Sequence, residues 1–386
     1  MGLLFWRIST DQVLCHGDYA TNNSGSDNEV KMMSGQENRL KQCTIVLTRG
    51  CNLRCHFCFE KEAGYRAHDR LSLDEVKRIV DLCGEANVRY VFLTGGEPLT
   101  YPHLLDVLRY IKEEYPSITP TIATNGVLLE DMELCQRLID CGLRYLDISM
   151  KGADAAEWKR ATGFDGYDNQ LRAISNLAST ELEFTCSMVV TEENVTRVCE
   201  AVQGAHDSGA RQFSFTFFID NIESETKNLK YLEGHDPFAL IESFVSQIDR
   251  LNAITDDWWV EYSFPLCAYT ERQLELLEGR LAGPCQIHLQ NAITIDTTMK
   301  LLPCDMYVDS NLGRFDDEFC NYQELKRWMG GPEYQSVVET VRERPSEKCS
   351  SCALLERCYG GCPVLWKNYS FDALMSYKAG ATLLHT

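Results

Sequence analysis

No stretch of the chain stays apolar for the roughly 18–20 residues that a membrane-spanning helix needs, so no membrane segment is expected. Met1 to Arg7 lacks the basic start and long apolar core of an export signal, and the expected compartment is the cytoplasm. Basic charge is also in short supply. Lys and Arg number 37 against 57 Asp and Glu, a formal net charge of −20. Nucleic-acid binding relies on cations that displace counterions, so no nucleic-acid partner is expected. A basic peptide suits such a field, although net charge alone establishes no partner. Apolar residues make up 44% of the 386 positions and charged residues 24%, which excludes a largely disordered chain. The length suits one large α/β domain and a smaller one.

Cysteine, by contrast, is abundant at 18 residues. A reducing cytoplasm disfavours disulfides, so metal or redox chemistry is the first explanation, and spacing has to decide it.

Residues 1–40 read as a loose arm, with a polar, turn-rich stretch at Asn22–Asn28. A strand–helix rhythm then begins. Expected strands are Thr44–Leu47, Tyr90–Leu93, Thr121–Ala123, Tyr145–Ile148, Phe184–Val190 and Gln212–Phe217. A helix opens at Ser72, where Glu75 completes a capping box and Val76, Ile79, Val80 and Cys83 share one face. Further helices are expected over Leu104–Tyr110, Met132–Cys141, Asn169–Leu177, Val195–His206 and Phe238–Leu251. Six such units imply parallel strands with right-handed crossovers. They are too few for a closed eight-unit barrel, so the expected fold is a partial (β/α)6 TIM barrel with its chemistry at the carboxyl ends of the strands. This core is expected over 41–254. Residues 255–386 form a bridging region and a small cysteine-rich C-terminal domain, with strands at Trp258–Tyr262 and Ala292–Ile295.

Cys51, Cys55 and Cys58 form C-x3-C-x2-C just after the first strand. A four-iron cluster normally takes four thiolates. Three leave one iron open, and an open metal position does chemistry rather than structure. The segment Cys51-Asn52-Leu53-Arg54-Cys55-His56-Phe57-Cys58 closely resembles the signature of the radical S-adenosylmethionine (SAM) superfamily. The resemblance implies a [4Fe-4S] cluster whose open iron chelates SAM, and one-electron cleavage of SAM to a hydrogen-abstracting 5′-deoxyadenosyl radical. Thr94-Gly95-Gly96-Glu97-Pro98 follows the second strand and matches the family's GGEP motif, which implies contact with the SAM ammonium. By the same resemblance Phe57, Asn125, Ser149, Lys151 and Val190 are SAM-side residues. Glu60, Lys61 and Glu62 follow the triplet with no role assigned.

Cys349, Cys352, Cys358 and Cys362 have the spacing C-x2-C-x5-C-x3-C. Paired cysteines also suit zinc, but this string resembles the SPASM extension behind many radical SAM cores. Cys285 and Cys304 resemble its first half, with Met299 where that pattern has glycine. The resemblance implies a first auxiliary cluster on Cys285, Cys304 and Cys362, completed by Cys267 or, failing that, Cys320. It implies a second on Cys349, Cys352 and Cys358. No cysteine follows Cys362 to complete that one, which leaves open an unligated iron, another ligand, zinc or no cluster. Asp305 stands where sulfatase-maturing enzymes have a carboxylate proposed as general base; a turn-capping aspartate is the plain alternative.

SPASM proteins mostly modify ribosomally made peptides or proteins. The implied partners are a precursor peptide and an electron donor such as flavodoxin or ferredoxin. With about 40 residues before the core a complete recognition module does not fit, so any leader peptide is expected to be held by a separate leader-binding protein or by the core domain. The expected reaction is a side-chain crosslink, C–C or thioether. Formylglycine formation and epimerisation are the alternatives within the class, and a non-catalytic zinc or iron–sulfur module the alternative outside it.

Overall fold

The structure, a computed structural model, describes residues 40–60, 68–221, 234–261, 264–283 and 285–384. The expected N-terminal arm, Cys15, Lys61 and Glu62 lie outside the described residues. Among the described residues no helix is long and apolar enough to cross a membrane.

Six strands carry the rhythm read from the sequence: β1 (Gln42–Thr48), β2 (Tyr90–Gly95), β3 (Thr119–Thr124), β4 (Tyr145–Met150), β5 (Glu183–Val190) and β6 (Gln212–Phe217). Each pairs in parallel with the next. The intervening helices are α1 (Leu73–Glu85), α2 (Leu104–Glu114), α3 (Met132–Asp140), α4 (Ala155–Thr162), α5 (Tyr167–Ala178) and α6 (Val198–Asp207). The capping box at Ser72 forms: its hydroxyl accepts from the Glu75 amide at 3.3 Å, and Glu75 accepts from the Ser72 amide at 2.7 Å.

Two expectations need correction. Helix α4, between the fourth strand and the next expected helix, was not anticipated. Asp154 caps its start and Gly163, at φ 72°, ends it; eight residues with two charged turns give little apolar periodicity. The single helix expected over Phe238–Leu251 is two, α7 (Pro237–Val245) and α8 (Ile248–Ile254). The break falls at Gln247, whose side-chain amide donates to the Val195 and Ser243 carbonyls instead of pointing to solvent.

The sheet does not end with the sixth strand. β7 (Trp258–Val260) adds to β6, while β8 (Ala292–Ile295) pairs in parallel with β1 and carries the antiparallel β9 (Leu301–Leu302). The order is β7-β6-β5-β4-β3-β2-β1-β8-β9, and the outer strands do not pair. The fold is a partial barrel with an open sheet, extended at both edges by segments from beyond residue 255.

Strand periodicity sorts the side chains into two faces. Ile45, Leu93, Ile122, Leu146, Cys186 and Phe215 are fully buried in one hydrophobic core with the helices. Their neighbours Thr44, Thr94, Thr121, Asp147, Thr185 and Ser214 are also buried, and they give the inside of the barrel a polar lining. Cys43, Cys83, Cys135, Cys141, Cys186 and Cys199 belong to the apolar core, where a thiol packs as a small hydrophobe.

Candidate functional site

The loop after β1 carries Cys51, Cys55 and Cys58, and its backbone is anchored. Arg54 and His56 donate their amides to the Thr162 and Ala161 carbonyls at the end of α4, at 3.0 and 3.1 Å. Below the loop, Leu53, Cys55, Val127 and Trp158 form a small apolar cluster. The Trp158 indole donates to Gln170 at 3.3 Å, and Gln170 donates to the carbonyls of Asn125 and Ser149 at 2.7 and 3.0 Å. Helix α4 and Gln170 thus fix the cysteine loop against the ends of β3 and β4.

The β2 end crosses directly over this loop. A Cβ on Gly95 would lie 2.2 Å from the Thr48 carbonyl oxygen, and one on Gly96 2.3 Å from that of Gly50. No side chain fits there. The amides of Gly96 and Glu97 donate to those two carbonyls at 2.7 and 2.8 Å.

Glu97 is fully buried and its carboxylate is already engaged. It accepts from the Thr124 hydroxyl at 2.7 Å, the Asn125 amide at 2.8 Å and the Leu99 amide at 3.0 Å. Burial raises its pKa, and these donors oppose the shift. Its visible work is to lock the β2 end to the β3 end. Asn125 in turn donates to Asn52 in the cysteine loop at 2.8 Å.

Lys151 donates to the Ser149 hydroxyl at 2.6 Å, and its ammonium lies 5.4 Å from the Phe57 ring centre. Burial pushes the Cys51 thiol up to about 12 and raises that of Cys55, which Lys151 draws back down. Such thiols stay protonated until a metal displaces the proton.

These residues line one cleft that opens to solvent. The three cysteines, Phe57, Gly95, Gly96, Glu97, Asn125, Ser149 and Lys151 all reach it. Pro98 does not line it; it starts the short 3-10 turn Pro98–Thr100. Of the Val189–Val190 pair at the end of β5, Val189 faces the cavity and Val190 packs in the hydrophobic core. One step along a strand flips a side chain to the other face.

The donor set fits the group that the motif implies. Among the described residues no three His, Cys, Asp or Glu side chains converge closely enough for a single metal ion. A four-iron cluster takes one thiolate per iron and needs a wider spread. Beside the thiols, the same cavity offers an ammonium, a hydroxyl and an amide to a polar ligand.

Motif reading gives no role to the polar residues that hold this loop to the rest of the chain. The Arg49 guanidinium, just ahead of the triplet, bonds Glu60 at 2.6 Å, Asp296 at 3.3 Å and the Thr297 hydroxyl at 3.2 Å. All three charged groups are buried. The triad ties the cysteine loop to the β8–β9 turn. Asn221 makes a second tie, donating to the carbonyls of Phe59 and Met306 at 3.2 Å each.

The C-terminal cysteines fall into two neighbourhoods. Cys285, Cys304 and Cys362 are buried together with Asp305 and Tyr307. Burial raises all three thiols, that of Cys362 to about 11, and raises the Asp305 carboxyl. Cys349, Cys352 and Cys358 are more exposed and stand near one another. Cys267, expected with the first group, has Cys358 and Cys349 as its thiol neighbours; burial pushes it up to about 11 and they add to the shift. Cys320 is elsewhere, exposed on the α1 side with its thiol donated to Glu324 at 2.9 Å. Met299, at the expected glycine, keeps a left-handed backbone at φ 63°.

The family model described as Radical SAM superfamily matches residues 45–205, the segment that holds the triplet, the Gly-Gly-Glu-Pro turn and the cavity. The chain spans about half the length of the first curated relatives it matches. It aligns more fully with a GTP 3′,8-cyclase of Chlorobaculum tepidum, 32% identical over 313 residues, 80% of this chain and 89% of that protein. The chain belongs to the radical SAM superfamily. Its family uses a [4Fe-4S] cluster and SAM. In fold it is similar to Streptococcus suis SuiB bound to precursor peptide SuiA, with TM-score 0.61 at 17% identity over 87% of this chain and 76% of that one. It is also similar to anSMEcpe with bound AdoMet and Cp18Cys peptide, with TM-score 0.63 at 18% identity over 89% and 97%.

Proposed function

We propose that this radical SAM enzyme acts on a peptide and forms a crosslink through a side-chain carbon, C–C or thioether. The observation that carries this reading is the pair of thiol groups in the C-terminal region, tied to the cysteine loop through Asn221 and the Arg49 triad. Two fold neighbours with that extent of alignment hold peptides. When bound, the cluster and SAM supply a 5′-deoxyadenosyl radical that abstracts hydrogen from substrate. Cys51, Cys55 and Cys58 hold the cluster. The Gly95–Gly96 backbone, Asn125, Ser149 and Lys151 bind SAM, Phe57 packs beside it, and Glu97 positions Asn125. The C-terminal thiols of residues 255–386 hold auxiliary clusters. Asp305, buried beside them, accepts the substrate proton at its carboxylate. An external donor of the flavodoxin or ferredoxin kind provides the electron.

A second reading is favoured by the 32% identity to a GTP cyclase across most of this chain: the substrate is then a nucleoside triphosphate. One experiment separates the two. Reconstituted protein is given SAM and dithionite, with either GTP or candidate precursor peptides, and products are weighed. Release of 5′-deoxyadenosine, lost in Cys55→Ala, establishes the chemistry; its absence in a cluster-loaded sample leaves a non-catalytic module. A peptide lighter by two hydrogens that carries no aldehyde supports the crosslink, since formylglycine made from serine has the same mass loss but a reactive aldehyde. No mass change with an inverted residue means epimerisation, loss of sulfur means formylglycine, and a cyclised nucleotide establishes the second reading.

A further inference from the structure

The turn Leu266–Ala268 lies against the four-cysteine string, not against Cys285. The Leu266 amide donates to the Cys358 sulfur at 3.2 Å. A Cβ on Gly361 would lie 2.7 Å from the Pro265 nitrogen, so the two backbones are in direct contact and only glycine fits. Lys378 holds the far side of the turn by donating to the carbonyls of Cys267 and Tyr269 at 2.7 and 2.9 Å. The last cysteine of the string, Cys362, points the other way, into the buried neighbourhood of Cys285 and Cys304. Around it His288 meets the Gly361 carbonyl at 3.1 Å and stacks on Tyr359.

We propose that Cys267, Cys349, Cys352 and Cys358 form one closed four-thiolate cluster site, and that Cys285, Cys304 and Cys362 form a separate three-thiolate site with one open iron position beside Asp305. This rests on the auxiliary-cluster reading above and reverses the assignment of Cys267 that sequence order suggests. The consequence is functional. A closed site is confined to electron transfer or structure, while an open iron can take a ligand atom from substrate. The segment that bears Cys304 is joined to the cysteine loop through Asn221, which donates to the carbonyls of Met306 and Phe59.

The test uses the full chain with Cys51, Cys55 and Cys58 replaced by alanine, so that only auxiliary metal is counted. After anaerobic reconstitution this background is expected to hold about eight irons in two clusters. Three thiolates suffice for a cluster and two do not. Cys349→Ala in this background is therefore expected to keep about eight irons, because Cys267 remains, and adding Cys267→Ala drops the count to about four. Cys285→Ala alone drops it to about four. The opposite pattern, with Cys349→Ala losing a cluster and Cys285→Ala losing none, overturns the proposal. In each variant the surviving cluster's paramagnetic spectrum after reduction, compared with the background, shows that the chain has folded. No iron in the background, or zinc in its place, defeats the auxiliary-cluster reading itself, an outcome distinct from a wrong partition.

Discussion

Cys51, Cys55 and Cys58 lie on a single loop, and backbone bonds to α4 and the β2 end shape it. The C-terminal thiols come from separate stretches around 267, 285, 304 and 349–362, brought together by packing at Pro265–Gly361 and His288–Tyr359. In the first region the ligand set is local and its scaffold is the barrel. In the second the ligand set is the scaffold, because the segments that bear the thiols have few long helices or strands of their own. A small region with little core depends on its metal for folding. The difference teaches that loss of metal should cost the barrel mouth its chemistry and the C-terminal region its structure.

The largest expected effect breaks that comparison if it fails. Replacing Cys51, Cys55 and Cys58 together is expected to take SAM cleavage to background and remove about four irons, with the thermal unfolding profile little changed. Replacing Cys267, Cys349, Cys352 and Cys358 is expected to loosen the C-terminal region, seen as new protease sites beyond residue 255, while SAM still perturbs the spectrum of the first cluster. Equal loss of structure in both would mean that the barrel mouth also folds around its metal.

Next comes the joint between the regions. Arg49→Met leaves Glu60 and Asp296 buried without their cation. Breaking a buried pair in this way costs about 3–5 kcal/mol, read as a fall in the denaturant midpoint. Lys is a poor replacement, because one ammonium cannot reproduce the two-sided fork of the guanidinium. A fall below 1 kcal/mol, on the order of an exposed pair, would show that the two regions are not joined here.

Much of the barrel was legible because its signals are local. The capping box at Ser72, the apolar strand cores and the C-x3-C-x2-C loop each occupy fewer than about a dozen residues, within reach of periodicity and motif rules. Arg49 and Glu60 flanked the triplet in plain view, but their partner Asp296 is more than two hundred positions away, and no spacing rule spans that distance. At the end of β5 a motif gives position along the strand more firmly than face, and it is Val189 rather than Val190 that lines the cleft. Cys267 is the clearest case: sequence order puts it next to Cys285, whereas the contact of Gly361 with Pro265 puts it next to Cys358.

A third expectation concerns the polar lining of the barrel, a feature on which motif rules are silent. Asp147 is fully buried, accepts from Ser187 at 2.8 Å, and burial raises it from 3.8 to about 7. The native state then holds a proton that the unfolded chain has released. Its stabilising contribution is complete below about pH 4 and is lost as pH rises through about 7. Asp147→Asn keeps the shape without the charge, so the variant is expected to match the wild type in acid and exceed it at pH 8, measured by denaturant unfolding across that range. A parallel pair of curves would place Asp147's titration near its ordinary value.

The smallest expected effect is at Met299, in the turn between β8 and β9, where the extension meets β1. A left-handed backbone costs a non-glycine residue about 1–2 kcal/mol, and glycine would remove that strain. Met299 is also 5% exposed and part of the hydrophobic core; burying such a side chain is worth about 1.5–3 kcal/mol. Glycine further loses about 0.5–1 kcal/mol through the freedom of the unfolded chain. Burial and chain freedom together outweigh the relief of strain, so Met299→Gly is expected to destabilise by about 1.5 kcal/mol. A gain in stability instead would mean that the turn is held in its strained form against its own preference, by the Asp296 carbonyl that accepts the Met299 amide at 3.0 Å and the Phe315 amide that donates to its carbonyl at 2.9 Å. The C-terminal extension would then be pressing on the barrel edge as well as resting on it.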